Sequence, residues 1–231
     1  IGAFIAEPIL SSGGVIVPSK GYQKRTWEIC RENDILYISD EVVTGFGRLG
    51  HWFASEEVFE IIPDMITCAK GLTSGYLPLG ACIISDRILE IASQGDEPSA
   101  FTNGYTYSAH PVSCAAALKN IEIFENERIL ENVRNVSPHF QSRLKDLMKY
   151  DIVGDARGMG LLGCIECKAE DLEAERSLGS KIDQACEELG LLVRPLINMA
   201  VFSPPLIITI DQIDEMFNIL EAAIIKVEND L

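Results

Sequence analysis

Four short apolar runs set among helix-like segments constrain this chain to an α/β layer. They are residues 3–6, "ILYIS" at 35–39, "MITCA" at 65–69 and "LGACIIS" at 79–85. Apolar strands separated by helices indicate a largely parallel sheet. Ser19 is placed to N-cap a helix over 20–32, with Tyr22, Thr26, Ile29 and Cys30 near one face. Pro111, after His110, opens another helix that runs through Leu118 to Phe124.

From about residue 125 the character changes to a second, smaller α+β unit. Ile129, Val133, Val136, Phe140, Leu144 and Leu147 mark a long amphipathic segment that Pro138 is expected to kink or break. "VGDARGMGLLGCIEC" reads as strand, glycine turn, strand, and a helix near 176–189 follows. The last helix begins near 211, where Thr209 and Gln212 have capping-box spacing.

Composition narrows the function classes. With 47% hydrophobic residues the chain can bury a sizeable core. Lys+Arg 19 against Asp+Glu 35 gives a net charge of −16, which disfavours nucleic acid and anionic membrane surfaces as partners. Local cations can still recruit small anions, since charges screen each other over roughly 8 Å. Seven scattered cysteines suit reduced thiols in a reducing compartment. Cys164 and Cys167 form a C-x-x-C without a second pair or a histidine cluster, so no metal site is expected. No stretch reaches the ~18–20 apolar residues of a membrane span. The chain opens on "IGAFIAEP", inside a strand and without Met. A cytoplasmic location is expected, with organellar targeting left open.

Two charged residues close core strands: Asp40 ends the second run and Lys70 the third. In open α/β sheets ligands sit beyond the carboxyl ends of strands, so the pair would share one crevice rim. A salt bridge closing the sheet end is the plainer reading. The other is pyridoxal-phosphate chemistry, which needs a lysine amine and a carboxylate against the pyridine nitrogen. An amine must be neutral to attack an aldehyde, and partial burial of the strand-end lysine would favour that form.

Five ordered stretches go further: "EPILSSGGVIVP", "YISDEVVTGFGRLGHWFA", "PDMITCAKGLTSGYLPLGA", "TYSAHPVSCAAAL" and "GLLVRP…SPPLIIT". Together they resemble the class III aminotransferases, pyridoxal-phosphate enzymes of fold type I, from about residue 2 to 228 but only over the family's second half. The resemblance implies a three-layer αβα large domain, present in part as residues 1–124, and a smaller α+β C-terminal domain, 125–231. It implies Lys70 as the Schiff-base lysine and proton carrier, Asp40 as the pyridine-nitrogen partner, and Val42 as an apolar residue on one ring face. Thr106 matches a threonine that binds cofactor phosphate in the neighbouring subunit's site, implying a homodimer or higher assembly. Arg194 matches a substrate-carboxylate clamp. Glu7 belongs to the Glu-Pro step near the cofactor, with no chemical step assigned.

The implied activity is amino transfer between an ω-amino acid or amine donor and pyruvate or another keto acid. An aminomutase, racemase or decarboxylase of the same fold, or an inactive truncated chain, stays open. Ser12 stands where members acting on 4-aminobutyrate or ornithine carry glutamate, and Ile197-Asn198 where the ω-branch often has Gly-Asp. The family's first half, with its phosphate-cradling residues and a stacking aromatic, is absent. The chain is therefore expected to be a fragment, inactive by itself.

Overall fold

A computed structural model of the chain describes residues 1–93 and 104–230, which divide into two compact units. The first comprises Ile1–Pro8, Pro18–Gly47 and His51–Arg128; the second comprises Ile9–Val17, Arg48–Gly50 and Ile129–Leu231.

The first unit holds a sheet in the order β1 (Ala3–Ala6), β2 (Leu36–Asp40), β3 (Met65–Cys68), β4 (Ala81–Ile84). The first three strands are parallel and β4 is antiparallel to β3. The reversal follows from the connection, because no crossover helix separates β3 from β4 and parallel strands require one. α1 (Tyr22–Glu32) makes the crossover between β1 and β2. Its Cys30 is buried with Tyr37 and Ile61, and Phe4 and Trp27 pack against them. Its N-cap is Gly21 at φ 82, not Ser19. The left-handed turn into the helix falls on the residue without a Cβ, while Ser19 offers only its carbonyl, 3.0 Å from the Tyr22 N–H.

The short helices α2 (Ala54–Glu57) and α3 (Asp86–Ala92) follow, then α4 (Pro111–Asn126). Pro111 lies in the first turn of α4, and His110 occupies the N-cap position without a side-chain capping bond. Ala117 of α4 joins a small core with Phe46, Cys68 and Leu72, and Trp52 stacks on Phe124 at 5.6 Å.

The second unit carries an antiparallel sheet in the order β5 (Val153–Met159), β6 (Leu162–Cys167), β8 (Met199–Phe202), β7 (Arg194–Leu196). Three helices complete it: α5 (Ile129–Asp146), α6 (Leu172–Glu188) and α7 (Ile210–Asn229). Their shared core includes Phe140, Leu144, Ile165, Ile182, Phe217 and Leu220, with Phe140 and Phe217 edge to face at 5.3 Å. The capping box at Thr209 and Gln212 forms as the sequence predicts.

Pro138 does not end α5, which runs through it to Asp146. An internal proline costs a helix about 3 kcal/mol. Val133, Val136, Phe140 and Leu144, on both sides of it, are all buried. Each contributes about 1.5–3 kcal/mol by leaving water, so packing outweighs the lost backbone bond.

Ile197 and Asn198 link β7 to β8 in a two-residue turn, and Ile197 has φ 58. Hairpin turns with a left-handed first residue call for glycine there; a β-branched residue is strained. Asn198 anchors the turn, donating to the Cys167 carbonyl at 3.1 Å while its own carbonyl accepts from Cys167 N–H at 2.8 Å. Ile197 is 60% exposed, so removing its side chain leaves no cavity. Ile197→Gly is expected to stabilise the protein by up to about 1 kcal/mol, relief of left-handed strain exceeding glycine's extra chain entropy. Thermal unfolding checks this, and a lower midpoint would contradict it.

Candidate active site

Three of the residues singled out in the sequence lie at the carboxyl ends of three neighbouring parallel strands. Glu7 directly follows β1, Asp40 is the last residue of β2, and Lys70 stands two residues beyond β3. Sheet register sets Asp40 level with Thr67, and the Glu41 N–H continues the ladder to the Thr67 carbonyl at 2.8 Å. Crevices at such strand ends are the usual ligand position of open α/β sheets.

Asp40 is half-buried. One carboxylate oxygen accepts from the Val42 N–H at 3.1 Å, a local bond that fixes the side chain as the strand ends. Its other oxygen has no hydrogen-bond partner among the described residues. Val42, also half-buried, is thereby held beside it.

Glu41 is fully buried and faces a ring of donors. Its Oε1 accepts from the Ser55 N–H at 2.8 Å and the Ser55 hydroxyl at 2.5 Å. Its Oε2 accepts from the Ala54 N–H at 2.8 Å and the Thr44 hydroxyl at 2.9 Å. A buried carboxylate is tolerated only with such compensation. The result pins the end of β2 to the start of α2.

Lys70 opens a 3₁₀ turn, Lys70–Thr73. It is exposed, where the sequence reading put it partly buried. The difference arises because β3 ends at Cys68, so Lys70 belongs to the turn and not to the strand. Its backbone has φ 41, a conformation that costs a non-glycine residue of order 1–3 kcal/mol and gathers at functional sites. Its amine has no hydrogen-bond or ion-pair partner among the described residues, so Asp40 and Lys70 do not form the salt bridge that was the plainer reading. Gly71 is required by a close approach: a Cβ there would stand 2.7 Å from the Phe46 Cβ.

Glu7 is half-buried. Its carbonyl and that of Pro8 accept from the Gln23 side-chain amide at 2.9 and 3.0 Å, while the Gln23 oxygen accepts from the Tyr37 hydroxyl at 2.5 Å. Thr106 lies in the turn before α4 and is exposed.

Arg194 belongs to the second unit, as the first residue of β7. It is exposed, has no ion-pair partner among the described residues, and lines a cavity of about 430 Å³ with Leu191, Val193, Phe202, Pro204 and Met216. Cys164 and Cys167 are buried on β6, and their odd spacing directs them to opposite faces of the sheet. Burial pushes both thiols up to about 12.

Sequence reasoning missed Gln23, Glu41 and Asn120, which hold the strand ends. Asn120 left the clearest signal: a polar residue in the stripe of α4 that also carries Ala117, Ile121 and Phe124.

Comparison with known proteins agrees with this fold. Residues 1–224 match the family described as aminotransferase class-III. The chain belongs to that family, whose members depend on pyridoxal phosphate. It is 42% identical to a putrescine–pyruvate aminotransferase of Pseudomonas aeruginosa, over 95% of this chain and 48% of that protein. To a chloroplastic gamma aminobutyrate transaminase of Solanum lycopersicum it is 40% identical, over 94% of this chain and 42% of the relative. An ω-aminotransferase structure from Paracoccus denitrificans matches with a TM-score of 0.91 at 39% identity, covering 99% of this chain and 52% of the other. A PLP-bound amine transaminase from an uncultivated Pseudomonas species also gives 0.91 at 39%, covering 97% and 52%. The fold is that of the PLP-dependent transaminases, and the chain spans about half the length of the relatives it matches.

Proposed function

We propose that the full-length protein is a pyridoxal-phosphate-dependent ω-aminotransferase moving an amino group from an amine or ω-amino acid to pyruvate or another keto acid. The observation that carries this reading is the strand-end pair of Asp40 and Lys70, each with polar atoms unpartnered among the described residues, at the ends of adjacent parallel strands.

These donors suit the cofactor. Lys70 would hold it covalently, Asp40 would face its ring nitrogen, and Val42 would pack on one ring face. Thr106 would serve the phosphate in a neighbouring subunit's site, making the working unit a homodimer or larger. Glu7 lies at the third strand end and receives no chemical step. When bound, pyridoxal phosphate supplies an electron sink for charge developing at the donor's reacting carbon.

The chain's own residues do the rest. Asp40, fixed by its bond from Val42, presents its carboxyl group at a set place. Once the donor's amine has displaced it from its covalent bond, Lys70 would take the proton from the donor carbon and return it nearby, which positioning makes effectively intramolecular. Arg194 offers a planar guanidinium to the acceptor's carboxylate, beside the apolar wall of Leu191, Val193 and Phe202.

The P. aeruginosa relative is named for putrescine and pyruvate, which supplies the first donor and acceptor to try. With pyridoxal phosphate, putrescine and a panel of ω-amino acids, the full-length protein is expected to convert pyruvate to alanine. No alanine from any donor would reject the reading. Arg194→Ala is expected to raise KM for pyruvate by about 10- to 100-fold, the loss of one charge-assisted contact. An unchanged KM would remove Arg194 from the acceptor site.

A further inference from the structure

We infer that Asn120 is a positioning residue for Lys70, holding the turn that carries the amine through a latch from α4. The inference rests on the role proposed above for Lys70. The Asn120 side-chain amide donates to the Gly71 carbonyl at 2.9 Å and the Leu72 carbonyl at 3.2 Å, and its oxygen accepts from the Ser74 hydroxyl at 2.7 Å. Among the described residues, no other side chain from outside the turn hydrogen-bonds residues 70–74.

The turn needs such a hold. Lys70 and Ser74, its two ends, both have positive φ, at 41 and 49. Neither is glycine, so the backbone does not favour this shape without support. Apolar packing of Leu72 on Phe46, Cys68 and Ala117 keeps the turn against α4 but does not fix its rotation. Hydrogen bonds are directional, and three of them converge on one amide. They set the direction in which Lys70 leaves the turn. The same helix begins just after the turn bearing Thr106, so α4 spans from that turn to the lysine.

The test uses the full-length protein loaded with pyridoxal phosphate, comparing Asn120→Ala, Asn120→Asp and Asn120→Gln. Asn120→Asp keeps the size and the Ser74 acceptor but loses both donors; Asn120→Gln restores donors on a longer stem. Both Asn120→Ala and Asn120→Asp are expected to lower kcat about 10- to 100-fold, with KM for pyruvate nearly unchanged, as slight misplacement of a reacting group does. Asn120→Gln is expected to recover part of the loss.

Amide hydrogen exchange gives a readout independent of turnover: residues 71–76 are expected to exchange faster while β2 and β3 keep their protection. Unchanged kcat in Asn120→Ala and Asn120→Asp overturns the inference, as does a loss of protection spread through the whole first unit. Lys70→Ala serves as the control. If it still turns over, the proposed role of Lys70 fails; if it is inert while Asn120→Ala is fully active, only the latch fails.

Discussion

Lys70→Ala in the full-length protein is expected to lower amino transfer by about 10⁴- to 10⁶-fold, the range for removing a group that both bonds and moves a proton. The structure makes this a clean substitution. Lys70 is exposed and its amine is unpaired among the described residues, so truncation breaks no bond and empties no core. Thermal stability of the cofactor-free protein should therefore stay within about 0.5 kcal/mol of the parent, the range for surface positions. Reduction with borohydride followed by peptide mapping gives a second readout. Label on the Lys70 peptide of the parent, absent from the variant, is the expected pattern. Label elsewhere would transfer the role to another lysine.

The second large effect belongs to Asp40. Asp40→Asn retains an oxygen to accept from the Val42 N–H, and Glu41 keeps its four donors. The end of β2 should therefore hold its shape while its charge is lost. Removing one well-placed electrostatic contact slows enzymes by about 10²- to 10³-fold, and that loss of kcat is expected here. Cofactor affinity, followed by equilibrium dialysis, should fall as well. A variant within a few-fold of the parent in both would show that Asp40 only closes the sheet.

What could be read from the residues, and what could not, follows from the kind of force involved. Apolar runs announce buried strands because burial acts on residue type, and β1, β2 and β3 lie close to where those runs predict them. The capping box at Thr209 was legible because its bonds span three residues. Backbone conformation was not. Nothing in the letter at position 70 or 197 signals a positive φ, because tertiary packing imposes it. Pro138 misled for the same reason: local preference favours a break, and core burial around Phe140 overrides it. The strand-end residues were visible singly, as polar side chains after apolar runs. Their support by Glu41, Gln23 and Asn120 depends on contacts between distant parts of the chain.

The second unit is not one continuous piece of chain: it includes Ile9–Val17 and Arg48–Gly50. Arg157 donates to the Gly14 carbonyl at 2.8 Å, Arg134 to that of Gly50 at 2.5 Å, and the Leu161 N–H to that of Arg48 at 3.0 Å. A polypeptide expressed from Ile129 onward would lack all three acceptors: Arg157 would keep Asp155 and Glu166 but lose the partner of its Nε, and the Arg134 guanidinium and the Leu161 amide would lose theirs. Any dissection of this protein therefore has to graft those two excursions back, or accept a C-terminal piece whose donors face water in their place.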